Sequence, residues 1–467
     1  MDKFIFVLGS NWQLSLAELD TVLKNSEFKG RITDYSANIA IVEFDDLLDE
    51  KYYIDKLMEL QFILGGTQKI CRIFDFIHIQ IIQSAFPKHV EKFKLVEKQR
   101  NKITSVLESV LSKTFGNIKK QSIFFAVSIY PDLFDDEYYS QVLAKHFLPF
   151  LNKTIMAILK QKGAKKSLYY KYPEKNIKSG HLNPIFPHHL TKYGLFNEDR
   201  AEIIFGFTEE GVYIGRTFTA DDPNFKKKID EERPHREFKS TISPKLALIM
   251  LNFLNLFEDR EHKKILDPFV GNGTIPMLAS VQGFQVYGSD IDDVKVNNTI
   301  RNLNWLLKLL EEEIPYMLNK RFVARDVSNI SDIFSEFLLD GICTEPSLGP
   351  FFKEKPYYTE IKELIKGKLE PLYKSLFLNA RQMLKSRGRI VLVAPVFTTV
   401  DGGDIQIHIE KIGNLHGFKL VPMIEMERIV NKSNKKLQLQ EKHIKSLLDA
   451  KKGQVVKRKL YVFEKNK

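Results

Sequence analysis

"ILDPFVGNGTIP", Ile265 to Pro276, decides the architecture. An apolar run stops on an acid, Asp267. Two glycines, Gly271 and Gly273, then turn the chain into a helical pattern. Small residues at a strand-to-helix turn let backbone approach a ligand closely, and the helix N-terminus that follows suits an anionic group. Outward from this turn, strands and helices alternate. "QVYGSDI", "FVARDV", "LDGICTE" and "GRIVLVAPVF" read as strands, and "KRKLYVFEK" as the last one. Residues 275–282, 294–310 and 358–384 read as helices, with another opening at Ser243 and Pro244. This alternation predicts α/β architecture: a doubly wound, parallel, Rossmann-like sheet binding ligands beyond the carboxyl ends of its strands.

A dinucleotide fingerprint needs glycine three positions after Gly273, where this chain has Pro276. Asp267 would repel a pyrophosphate but attract a sulfonium or ammonium group. The turn therefore favours S-adenosylmethionine over a dinucleotide. Asp290 ends the next strand, where a carboxylate accepts ribose hydroxyls. Asp326 ends a third, within reach of an adenine amine. Phe269, Ile291 and Val327 complete the candidate cofactor set.

Upstream, "KFIFVLG", "NIAIVEF" and "QKICRIFDF" read as strands. The helix "SLAELDTVLK" has Ser15 and Glu18 at capping-box spacing, and residues 47–60 read as another helix. Residues 1–78 are thus expected to form an α+β unit, and 79–220 a second unit closing in the hairpin "AEIIFGF-TEEG-VYIGRTF". Residues 221–242 lack an apolar period and read as a linker to a domain over 243–467.

The formal charge of +11 favours a polyanionic partner. "KQKGAKKSLYYKYPEK" interleaves Lys160, Lys162, Lys165, Lys166 and Lys171 with Tyr169, Tyr170 and Tyr172, a pattern suited to RNA. Arg233 and Arg236 either touch RNA or pack the domain junction. The tail "NKKLQLQEKHIKSLLDAKKGQVVKRK" reads as a solvated basic face, and His181, His188 and His189 as surface or capping residues. Cys71 and Cys343 lack partners at metal spacing, so neither a zinc site nor a disulfide framework is expected. "LALIMLNFLNLF" is too short for a membrane span, and a strand beginning at Phe4 leaves no room for a signal peptide. A cytoplasmic monomer is expected.

"LGGTQKI", "VYIGRTF", "RPHREFKSTISPKLA", "DPFVGNGT", "YGSDID" and "TEPSLGP" occur in this order over nearly the whole chain. In this the chain resembles the THUMP-containing tRNA guanosine N2-methyltransferases. The resemblance implies a ferredoxin-like domain, a THUMP RNA-binding module and a class I methyltransferase domain. It also implies S-adenosylmethionine as donor, guanosine at tRNA position 10 as acceptor and, in some relatives, a small activating subunit. "TEPSLGP" stands at the family's catalytic motif. Thr344, Pro346 and Gly349 match; Glu345, Ser347 and Leu348 replace an aspartate, a proline and an aromatic. Glu345 is then the expected catalytic acid, with Pro346, Ser347 and Leu348 shaping its turn. A carboxylate there would orient the exocyclic amine and take its proton. Phe351 or Phe352 would have to supply the aromatic face. An RNA-binding protein without catalysis and an amino-group DNA or rRNA methyltransferase are the alternatives.

Overall fold

Strand runs rich in Ile, Val and Phe build two sheets. The computed structural model describes residues 3–45, 53–87, 93–132, 139–171, 185–237, 242–315, 317–336, 338–439, 444–451 and 453–467. The first sheet contains β1 (Lys3–Leu8), β2 (Gly30–Tyr35), β3 (Ile39–Phe44), β4 (Thr67–His78), β5 (Ser122–Tyr130), β6 (Lys166–Tyr169), β7 (Arg200–Phe207) and β8 (Gly211–Ala220). Their order is β2-β3-β1-β4-β8-β7-β5-β6. Residues 1–78 and 79–220 therefore share one sheet rather than forming separate layers. Long β4 pairs with β1 on one side and antiparallel with β8 on the other, from Lys69↔Ala220 to His78↔Gly211. A break near residue 78 is what local patterning suggests; only strand pairing shows that backbone hydrogen bonds cross it.

Helix Trp12–Asn25 packs its apolar face on the first half of the sheet. Its N-cap is Asn11, whose side chain accepts from the Leu14 amide, so the capping box read at Ser15 does not form. Ser15 instead donates to the Asn11 carbonyl, and Glu18 turns inward. The next helix runs Tyr53–Ile63; the residues of the 47–60 reading before 53 lie outside the described set. Over the second half lie Phe93–Thr114 and Leu148–Gln161. Val142–Gln161 is long and apolar enough to cross a bilayer by length and composition. Here Leu143, Phe147, Leu151, Ile155 and Leu159 are buried in the protein core.

The second sheet contains β9 (Lys264–Asp267), β10 (Gln285–Asp290), β11 (Phe322–Ala324), β12 (Leu339–Thr344), β13 (Leu384–Thr398), β14 (Asp404–Gln406), β15 (Phe418–Leu420), β16 (Ser446–Asp449) and β17 (Val456–Lys465). The path is β11-β10-β9-β12-β13-β17-β15, with β14 paired to β13 and β16 to β17. From β11 to β13 the pairing is parallel, as the alternation predicts. β17 enters antiparallel, so the sheet is mixed. The order reverses between β9 and β12, the switch point where ligand crevices open.

Two connections bind the halves. The expected linker is partly structured: Pro223–Lys227 is helical, and Ile229 is fully buried. The tail is not simply a solvated face either. Leu437 is buried, and its carbonyl accepts from the Tyr35 hydroxyl (2.8 Å); just ahead of the tail, Lys432 pairs with Asp34 in the first sheet and Arg428 donates to Asp20 (2.8 Å). At the centre of the seam, Glu18 accepts from the amides of Gly65 and Gly66 (2.8 and 2.7 Å) and from Asn252 Nδ2 (2.7 Å). Burial nevertheless pushes its carboxyl up to about 7.

Candidate active site

The glycine turn forms because β9 must end where the helix Thr274–Val281 begins. Gly273 is the N-cap at φ +85°, a conformation L side chains rarely adopt. Thr299 donates to the Gly271 carbonyl (2.9 Å), and Asp290 Oδ2 accepts from the Gly271 amide (3.0 Å). The turn is thus held from the helix Asp293–Leu309 and from the end of β10. The C-terminal part of the expected linker docks beside it. The His235 amide donates to Asn302 Oδ1 (2.9 Å), and Asn302 Nδ2 donates to the His235 and Asn272 carbonyls (both 2.8 Å).

A cavity of about 860 Å³ opens at the carboxyl ends of β9, β10 and β12. Asp267, Phe269, Gly271, Asp290, Ile291, Asp326 and Val327 border it. Gly273 does not; it sets the backbone of the turn, and a Cβ there would meet Thr299 at 2.9 Å. Asp326 lies past β11 rather than at its end, and caps a short helical turn by accepting from the Ser328 amide (2.8 Å). That bond holds its carboxyl below the usual range.

Asp267 is buried and accepts from the Thr344 hydroxyl (2.6 Å) and the Phe269 amide (3.1 Å). Burial outweighs both bonds and pushes its carboxyl up to about 7. A cation next to this acid would recover that desolvation cost. The Thr344 bond also ties the end of β9 to the end of β12, where Glu345 begins.

Glu345, Pro346, Ser347 and Leu348 all border the same cavity. Ser347 accepts from the Gly349 amide (3.3 Å), closing the turn that a proline would otherwise stiffen. Glu345 Oε1 accepts from Arg458 Nε at 2.6 Å, and Oε2 takes no protein hydrogen bond among the described residues. Burial raises the Glu345 carboxyl, and Arg458 opposes the shift. Sequence reading missed Arg458 because it sits on β17, more than a hundred residues away, within a run of basic residues. Phe352 packs edge-on against Phe397 (6.1 Å between ring centres), whereas Phe351 borders the cavity and is 70% exposed.

The expected RNA residues divide. Lys160, Lys162, Lys165, Lys166 and Lys171 are exposed, around edge strand β6. Lys171 lies over the Tyr169 ring, and Tyr170 is half-buried beside Tyr193 (5.1 Å). Arg233 is only 3% exposed and donates to the Thr274 hydroxyl (2.6 Å). It packs the junction and cannot reach RNA. Arg236 is half-buried in the same segment. The His188 and His189 rings lie 4.0 Å apart, tilted by 56°, with His189 Nδ1 accepting from the Phe186 amide at a helix start. Tyr172 and His181 lie outside the described residues.

The strand order, the antiparallel β17 and the cavity at the glycine turn define a Rossmann-like class I methyltransferase fold. No protein-family model matches the chain. A curated relative from Methanothermococcus thermolithotrophicus, "Probable tRNA (guanine(10)-N2)-dimethyltransferase", is 30% identical over 150 residues, covering 32% of this chain and 79% of the relative. The tRNA (guanine(10)-N2)-dimethyltransferase of Methanothermobacter thermautotrophicus is 29% identical over 180 residues, covering 38% of this chain and 46% of the relative. The chain thus spans about half the length of that relative. Among solved structures, TrmN from Thermus thermophilus matches over 100% of both chains at 14% identity and a TM-score of 0.49, too distant to bear on substrate or mechanism. The chain belongs to the tRNA (guanine(10)-N2)-dimethyltransferase family.

Proposed function

We propose that this chain transfers a methyl group from S-adenosylmethionine to the exocyclic N2 of a tRNA guanosine, at position 10. The observation that carries this reading is Glu345: an acid at the tip of β12, with one oxygen unengaged among the described residues, in the same cavity as Asp267 and the glycine turn. The donor set fits the cofactor. Asp267 is a buried acid suited to a cationic group, and Asp290 and Asp326 border the same cavity, as acceptors for ribose hydroxyls and an adenine amine. When bound, the donor supplies an already activated methyl group.

The protein's part is alignment and proton removal. The guanine amine is a weak nucleophile because its lone pair is delocalised into the ring. Glu345 accepts an N2 hydrogen bond, orients the amine and takes its proton. Thr344 and Pro346 hold the turn from which the acid projects, and Phe351 offers the extruded base an aromatic face. Residues 1–78 and 79–220 serve as the ferredoxin-like and THUMP-like parts, with the exposed lysines around β6 on tRNA phosphates. Labelled donor incubated with tRNA from a deletion strain should place label in N2-methylguanosine. Label in adenine of DNA would overturn the assignment. Binding of tRNA with no binding of donor would leave a non-catalytic RNA-binding protein.

A further inference from the structure

We propose that Arg458 is a positioning residue for Glu345. Its guanidinium holds Oε1 and balances the charge, leaving Oε2 to take the proton released on methylation. This rests on the reading of the cavity as a guanine N2-methyltransferase site. The two side chains are only 19% and 11% exposed, and the Nε–Oε1 bond is 2.6 Å. Their placement is rigid. β13 pairs with β12 next to Glu345 (Thr344↔Leu392) and with β17 at Arg458 itself (Pro395↔Arg458). A single strand thus fixes both ends of the ion pair. The arrangement also suits a glutamate, because its extra methylene is the reach that brings Oε1 to a guanidinium on the far side of β13.

The N2 lone pair bonds to the methyl carbon as the carbon–sulfur bond breaks, and that electron pair returns to sulfur. The nitrogen, now cationic, gives one proton to Oε2. Glu345 becomes a neutral carboxyl and passes the proton to solvent at the cavity mouth.

The charged and titratable groups facing Glu345 come from several elements. Arg458 approaches from β17 and Asp449 from β16, where it is the cross-strand partner of Arg458. Asp267 lies at the end of β9, Tyr373 on the helix Glu370–Met383, and Lys353 on the cavity rim. Arg458 is the cation in contact; burial and Asp449 push the other way. Removing Arg458 therefore favours the protonated acid, which cannot accept from N2, and activity should move to higher pH.

The test compares wild type, Arg458→Met and Arg458→Lys. It reads kcat and KM against pH, with Glu345 protonation followed by infrared difference against Glu345→Gln. Arg458→Met should lose about 100-fold in kcat at pH 7 with KM for tRNA unchanged. Its acid limb should move upward, and a protonated-carboxyl band absent from wild type should appear at neutral pH. Arg458→Lys keeps the charge and should restore most of the limb. Calorimetric donor binding confirms that each variant is folded. An ionised Glu345 in Arg458→Met at pH 7, or an unmoved acid limb, would overturn the proposal. If wild type labels no guanosine while the infrared bands still differ, the guanine assignment fails and the pairing role of Arg458 stands.

Discussion

A carboxylate that must accept a proton from an aromatic amine has to be close, ionised and only partly engaged. Glu345, which borders the cavity, meets the last requirement by giving one oxygen to Arg458 while the other takes no hydrogen bond among the described residues. Shortening the side chain by one methylene withdraws the carboxylate from both. Glu345→Asp, although it restores the family's usual residue, should therefore cost about 100-fold in kcat, read in the tRNA methylation assay. Unchanged activity would mean the turn relaxes to follow the shorter side chain. Asp267 carries a different pH signature. Its carboxyl sits near 7 without a cation beside it. Below pH 7 the acid holds a proton that must leave when the cationic donor binds. Donor affinity should thus be flat above pH 7 and weaken by up to about tenfold per unit below it, measured calorimetrically from pH 5.5 to 8.5. A flat profile would remove Asp267 from contact with the donor's charge.

The glycine turn shows how an element constrains the site. Gly271 and Gly273 both have positive φ, at +51° and +85°, but their surroundings differ. A Cβ on Gly271 meets nothing within 4 Å, whereas one on Gly273 lies 2.9 Å from Thr299 Cγ2. Thr299 in turn holds the Gly271 carbonyl. Gly271→Ala should therefore cost only the backbone term, about 1–2 kcal/mol. Gly273→Ala adds steric displacement of Thr299 and should cost about 3 kcal/mol, with weaker donor binding. Denaturant unfolding of the two variants separates these effects, and equal losses would show that the clash relaxes freely.

Across the molecule, residues from opposite ends of the chain meet in buried ion pairs. Lys432, in the connection between β15 and β16, pairs with Asp34 of β2, with both side chains at most 5% exposed. Removing one partner strands the other charge without solvent. Lys432→Met should destabilise by about 3–5 kcal/mol, and the double variant with Asp34→Asn should recover much of the loss. Thermal melts of the single and double variants test this. Glu18 acts similarly at the seam, where its carboxylate bridges the Gly65–Gly66 turn and Asn252. The second sheet and the first sheet are thus joined by more than the chain that links them.

The local pattern of this sequence determined what depends on near neighbours. The period of apolar residues set the strands and helices, and the glycines after Asp267 set the turn. Asp267 and Asp290 at successive strand ends and Glu345 before Pro346 were legible as candidates, and all three border one cavity, whereas Asp326 lies past its strand. These are legible because backbone conformation and side-chain alternation repeat over a few residues. Tertiary structure alone decided that β4 and β8 merge the first two units, that Arg233 is buried under the helix Thr274–Val281, and that Arg458 meets Glu345. In each case the partner lies far along the chain. Burial turns an ordinary basic residue into a paired or desolvated one, and that change depends on which distant segment excludes the water.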